Sequence, residues 1–566
     1  MAEPVVSSGL IVKQPSGLVR NVSITNALFF NIAAFVGTAI GWAVAFYALF
    51  PEWQGSGISA YAWMAVLAGL ACFFLGLILS NLTAVMPRSG GDYVFTSRII
   101  SPLWGWLESW TLVGSALTII GFEIIVALHN IQLTGILLGV AFPGSSFAAS
   151  KDWFQDYTSK IIVGVIILLV IFGISILKTR IFYGGVKYLT IIAIISVLIS
   201  FFGAFSIDPN LMNTALPKLG TSLQAIMSTA KAAHYVPGRP DFSLPGLINL
   251  AGLASVVLFQ FIGFQFSSYI AGEVKGNIRR SVFFAIIGAL IFAVFMNSLY
   301  IDTLGNRFGL DLTNAWGYLY WHDATAAPLH GQPPFTPVMA TAVHPEAWPL
   351  WLVVALGNII MNILLCPVYA IFLSRIVLAW AIDKQIPGWF RVVDDRTHAP
   401  LRVIVLAILL GAVFYALTIF GVLSLASTTF FSIALAALTW IMPGINAILI
   451  SYRRPGPYRT AQPGEERASD FFGLINNKFQ GLPRLVWYGI LWLAFIIPVY
   501  VAAFFWPVIR GLKTSGFGYL GLSNSNGILW ALIFIVIGII IYYAMKFANK
   551  RAHISMDGIY QELPHE

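Results

Sequence analysis

Charge is what this sequence has least of. Only 10% of its 566 residues are Asp, Glu, Lys or Arg, against roughly a quarter in soluble domains. A water-facing surface cannot be built from so few, which excludes a soluble globular protein. Cysteine is nearly absent too: the two present, Cys72 and Cys366, both lie in apolar runs, so neither a disulfide framework nor a Cys-rich metal centre is available. The chain contains no H-E-x-x-H and no Gly-rich loop ending in Lys-Ser or Lys-Thr, the signatures of zinc hydrolysis and of a phosphate cradle. An enzyme is not expected, nor a cofactor or resident metal. The N-terminal stretch MAEPVVSSGLIVKQPSGLVR lacks the compact apolar core and cleavage site of a signal peptide, so the first span is expected to serve as an uncleaved insertion signal.

What the chain does have is hydrophobicity. Apolar residues make up 58% of it and the mean hydropathy is +0.83. Runs of about 20 apolar residues, enough to cross the hydrocarbon core, recur along its length. The pattern predicts an all-α polytopic membrane protein with twelve spans, near 24–50, 60–84, 103–140, 159–177, 185–206, 246–271, 281–303, 349–382, 401–422, 427–450, 485–507 and 527–547. Around them fall a tail at 1–23, outer connections at 207–245 and 304–348, a polar Pro-rich linker at 451–484 and a tail at 548–566. The Trp-, Pro- and His-rich connection 304–348 is expected to form a partly folded cap. The third and eighth runs exceed one bilayer thickness and should tilt or project into water.

The positive-inside rule orients the scheme. With both termini in the cytoplasm, 24 of the 32 Lys and Arg fall on cytoplasmic ends and loops and 8 on outer loops. The net charge of +9 then follows from topology in a multi-pass cell-membrane protein, and no nucleic-acid partner is expected.

Two spans carry polar groups where lipid would want leucine. The first holds Asn26, Asn31, Gly37, Thr38 and Gly41; the sixth, FQFIGFQFSSYIAGEVKG at 259–276, holds Gln260, Gly263, Gln265, Ser267 and Ser268. Irregular backbone at membrane depth is tolerated only against protein or a water-filled cavity. Interrupted spans five apart are the mark of two inverted five-helix repeats, each opening on a discontinuous helix; here the repeats would be 24–206 and 246–450, with 485–547 outside them. The spacing Gly37-x-x-x-Gly41 alone suits close helix packing as well as a binding role.

Three stretches carry a family resemblance. PRSGGDYVFTSRIISPLWGWLESW at 87–110, SRIVLAWAIDKQIPGWFRVVDDRTHAP at 374–400 and the sixth-span stretch with its IAGEVKGNIRR tail resemble motifs of the amino acid–polyamine–organocation permeases. The resemblance spans roughly residues 20–450 and implies a five-plus-five inverted-repeat transporter working by alternating access. It implies a substrate carboxylate on backbone N–H groups around Gly37, Ile40, Gly41, Trp42 and Ala43. The amino group would lie on carbonyls of Phe259, Gln260 and Ile262, beside Gly263 and Gln265. The sequence departs from the motif: Ala43 stands for a glycine, Trp42 for a small residue, and Gln265 for a glutamate. An indole at position 42 could stack on a cationic amine, so polyamines and other amines stay beside amino acids as substrates. A membrane-embedded nutrient sensor of the same fold is the other alternative.

For coupling, Trp351 to Leu373 contains no Ser or Thr to hold sodium, and the only Lys of the fifth span, Lys187, sits at its end. Glu123 in the third span is the candidate proton carrier, because an ionisable residue inside a span is costly and faces a partner or a pathway. A neutral Glu hydrogen-bonded to a neighbouring helix is the alternative. Asn358, Asn362 and Cys366, every fourth residue on one helix face, could line the pathway or join two spans. Arg375 and Asp383, with Arg88 and Asp92, are candidate gate charges at the cytoplasmic end.

Overall fold

A backbone immersed in hydrocarbon must close its hydrogen bonds within itself, and this chain does so almost wholly as helix. The computed structural model describes residues 17–35, 57–235, 242–423, 425–453, 478–509, 526–554 and Tyr560. In chain order the helices are α1 (Ile24–Ala33), α2 (Gly57–Val85), α3 (Asp92–Ile99), α4 (Pro102–Ala141), α5 (Tyr157–Ser175), α6 (Thr179–Ala204), α7 (Leu223–Ala232) and α8 (Leu244–Phe261). They continue as α9 (Ile278–Phe308), α10 (Leu310–His322), α11 (Thr336–Val343), α12 (Trp348–Ile382), α13 (Leu401–Ile419), α14 (Leu425–Arg453), α15 (Arg484–Ile509) and α16 (Asn526–Arg551). The only paired strands among the described residues are Lys478–Phe479 and Leu482–Pro483.

Ten of these helices are long and apolar enough to cross a membrane, and two shorter apolar helices accompany them, Ile24–Ala33 and Gly246–Phe261. Gly246–Phe261 belongs to the sixth run, one of the two expected to be interrupted; of the first run, residues 36–50 lie outside the described residues. The sixth run, expected as one span over 246–271, leaves the α-helix at Phe261 and continues as turns and short 3₁₀ segments.

Helix α4 organises the bundle. It is 40 residues long, about 60 Å at 1.5 Å per residue, roughly twice the hydrocarbon thickness. Ser101 caps its start by accepting the Trp104 N–H, and Pro102 occupies the first turn, where its missing N–H costs nothing. Buried over nearly all its length, α4 packs against α12, α13 and α14. By contrast α5 and α16 turn most of their apolar surface outward, as helices facing lipid do.

One end of the bundle carries Arg88, Arg98, Lys384, Arg391 and Arg396 and is the basic end. The opposite end is closed over by a cap built from both long connections. There α7 packs on α10, Tyr318 donates from its hydroxyl to the Ala233 carbonyl at 2.5 Å, and Lys218 donates to the Ala342 carbonyl at 2.8 Å. The cap is thus more fully folded than its Pro and His content suggests. It grips α4 through the Gln332 amide, which donates to Gln132 Oε1 at 3.0 Å.

Candidate functional site

Gly263 is where the sixth run breaks. Its φ of +114° is closed to ordinary side chains, and a Cβ there would lie 2.4 Å from the Cβ of Ala34. The broken segment therefore meets the end of α1 backbone to backbone. Asn31, wholly buried on α1, holds the break: its Nδ2 donates to the Phe264 carbonyl at 2.6 Å and to Ser267 Oγ at 3.1 Å, and its Oδ1 accepts the Ser267 N–H at 2.6 Å. One amide side chain satisfies groups that the helix abandoned. Gly263→Ala is expected to destabilise the protein by roughly 2–4 kcal/mol through forced φ and overpacking, measured by thermal unfolding in detergent.

Among the residues expected to hold a substrate amine, Phe259 already receives the Ile262 N–H on its carbonyl at 3.2 Å. Among the described residues the Ile262 carbonyl accepts no hydrogen bond. Gln260 and Gln265 are both buried, and Gln265 Oε1 has no partner among the described residues. Gly37, Ile40, Gly41, Trp42 and Ala43 lie outside the described residues.

A second polar chain crosses between α4 and α12. Asn362 Nδ2 donates to Glu123 Oε2 at 2.5 Å, and Asn362 Oδ1 accepts from Asn130 Nδ2 at 2.7 Å. All three side chains are buried, Glu123 at 1% exposure. Asn358, one turn away, spends its Nδ2 on the Val354 carbonyl at 3.1 Å and keeps a buried Oδ1 without a partner among the described residues. Cys366 approaches the carbonyls of Ile120 and Asn362. The members of the expected stripe differ: Asn362 joins two helices, while Asn358 Oδ1 has no partner among the described residues. Next along the same helix, Tyr369 meets Phe266 of the broken segment edge-on at 5.1 Å. The helix that binds Glu123 thus also touches the break.

The basic end carries ion pairs that differ from the simple grouping of Arg375, Asp383, Arg88 and Asp92. Arg375 makes a bidentate pair with Glu273, at 2.7 and 2.9 Å, both residues buried. Asp383 pairs with Arg98 at 2.6 Å and with Arg88 at 3.3 Å. Burial pushes the Asp383 carboxyl up, but Arg98 and Arg88 outweigh it and hold it below the usual carboxylate range. The Arg88 side chain is 11% exposed and shares Asp383 with Arg98. Asp92 takes the Tyr269 hydroxyl of the broken sixth run. Gly91, at φ +52°, makes room for that tyrosine, since a Cβ there would sit 2.4 Å from its ring.

Glu273, Arg98 and Tyr269 were legible only as members of motif stretches, because each finds its partner more than a hundred residues away. Asn31, by contrast, announced itself as a polar side chain in an apolar run.

Asp92 also supplies a pH signature. It lies between α2 and α4, faces Tyr269 and Glu108, and burial pushes its carboxyl up to about 7, with the Tyr269 hydrogen bond offsetting only part of the rise. Above the ordinary carboxylate pKa the unfolded chain releases this proton while the folded chain keeps it until about pH 7. Stability should therefore fall as pH rises through that window. In Asp92→Asn the unfolding temperature should lose this fall between pH 5 and 7.5, and an unchanged slope would assign it to another group.

Near the cap end a cavity of about 340 Å³ is lined by His129, Lys160, Tyr320, Trp321 and Gln332 among others. His129 lies on α4, the helix that also carries Glu123 and Asn130.

A break in the sixth run, a buried carboxylate between two spans, and an ion-paired end opposite a cavity suit a membrane transporter. The amino acid permease family model matches residues 27–537, and the chain belongs to that family. A search among curated proteins gave no match.

Proposed function

We propose that this protein is a secondary active transporter that moves an amino acid or a related amine by alternating access, with Glu123 carrying a coupled proton. The carrying observation is the pairing of an open acceptor at the helix break with a buried carboxylate one helix away. At the break, the Ile262 carbonyl accepts no hydrogen bond among the described residues, as the site for an ammonium group requires. At Glu123, an ionisable side chain inside a span has, among the described residues, Asn362 as its amide partner and no cation among its hydrogen-bond partners, as a group that exchanges a proton requires. The paired charges at the basic end suit a state closed on that side, and the cavity at the cap end suits one approached from the other. The inverted-repeat division at 24–206 and 246–450 and the cytoplasmic placing of both termini belong to this proposal.

The test is uptake by purified protein in liposomes. Labelled amino acids and polyamines are offered under an inward proton gradient, a sodium gradient, or internal substrate alone. Uptake that follows the proton gradient supports proton coupling. Uptake needing only internal substrate makes the protein an exchanger, with Glu123 as a helix-joining group. Binding without passage under any gradient makes it a sensor.

A further inference from the structure

We propose that Tyr560 is a positioning residue for the Arg98–Asp383 ion pair, and that through this pair it holds the basic end closed. Tyr560 stands beyond the last helix, which ends at Arg551, yet it is only 4% exposed. Its side chain joins the two elements that must part for that end to open. From α3, the Tyr93 hydroxyl lies 3.2 Å from the Tyr560 hydroxyl, and the Arg98 guanidinium lies 4.9 Å from the centre of its ring. From the end of α12, the Gln385 amide donates to the same hydroxyl. Two residues before Gln385 stands Asp383, the acid that Arg98 holds at 2.6 Å.

The arrangement is a ring of contacts with Tyr560 at its centre. A guanidinium over an aromatic face is attracted by the ring's quadrupole, more strongly when desolvated, and here Arg98 and Asp383 are both buried. Arg98 also meets the Tyr93 ring at 5.8 Å, so two tyrosines flank one cation. The charged groups around this point are Arg98, Arg88 and Asp383, and the Asn549 amide ties α16 to the same corner through the Lys384 carbonyl at 2.7 Å. Removing Tyr560 would strip Gln385 and Tyr93 of a buried partner and bare one face of Arg98. Each of these losses weakens the closed arrangement relative to an open one in which water can reach the same groups.

The test uses the full chain with reporter cysteines, since Cys72 and Cys366 are both buried. Ser89→Cys reports on the basic end, where Ser89 is 4% exposed; Leu128→Cys reports on the cap cavity, which Leu128 lines. Each is combined with Tyr560→Ala or Tyr560→Phe, and the rate of maleimide modification is measured. Tyr560→Ala should speed modification at position 89 about tenfold, and Tyr560→Phe, which keeps the ring but loses the hydroxyl, about threefold. Under the alternating access proposed above, on which this second readout rests, modification at position 128 should slow as that at 89 quickens. Unchanged rates at 89 in both variants overturn the role of Tyr560. Rates that rise at both ends mean general loosening and overturn it as well. A rise at 89 with no change at 128 upholds Tyr560 and removes alternating access from the proposed function. If Tyr560→Ala does not fold, Tyr560→Phe alone decides.

Discussion

Glu123→Gln is expected to abolish uptake driven by a proton gradient, a loss of at least about tenfold, while substrate binding stays within about threefold. The substitution is nearly isosteric, and the new amide oxygen can still accept from Asn362 Nδ2, which now sits 2.5 Å from Glu123 Oε2. What it removes is the ability to take up and release a proton. If Glu123 only joins α4 to α12, Gln should preserve both transport and its gradient dependence, because the hydrogen bond survives. Measuring uptake under an imposed proton gradient beside exchange at equal pH separates the two. Loss of the first with retention of the second assigns the proton to Glu123, and retention of both returns Glu123 to a structural role.

Arg375→Ala should have the largest effect on stability, about 3–5 kcal/mol, because it leaves Glu273 as an uncompensated buried charge. The pair is bidentate, and its members are 1% and 0% exposed in their side chains. A double replacement, Arg375→Met with Glu273→Leu, should recover most of that loss, since removing both charges of a buried pair is often neutral or stabilising. It should still impair transport, because the closure at this end would no longer be ionic and could not be traded for water on opening. Thermal unfolding in detergent reads the first effect and liposome uptake the second. A single variant as stable as the parent would mean that water or a neighbouring cation reaches Glu273.

Residues that could be singled out from sequence were those whose local setting was wrong for a membrane. Asn31, Gly263, Gln265 and Glu123 all interrupt apolar runs, and each proves to sit at a break, on an open acceptor or on an interhelical bond. Residues that sit naturally at span ends gave no such signal. Arg98 and Glu273 read as ordinary charges near the ends of helices, and their pairing with Asp383 and Arg375 is a matter of tertiary approach. Tyr560 was illegible for the same reason: a single aromatic residue near a terminus has no periodicity to betray its burial. The stripe Asn358, Asn362 and Cys366 shows the limit from the other side. Its common face followed from helical spacing, but only the packing of α4 against α12 distinguished Asn362, committed to Glu123 and Asn130, from Asn358 with its open oxygen.

By itself the sequence determined that this protein lives in a membrane as a bundle of helices, because scarcity of charge and runs of about 20 apolar residues leave no other way to solvate the chain. It also determined where the sixth run is interrupted, since glycine and amide side chains are costly in hydrocarbon wherever they stand. Only the tertiary structure decided which groups that interruption meets. Asn31 completes the broken segment, Arg375 answers Glu273, and Tyr560 sits beneath Arg98. Such partners come from elements far apart in the chain. Their meeting depends on distances and directions in space, which local composition and periodicity do not encode.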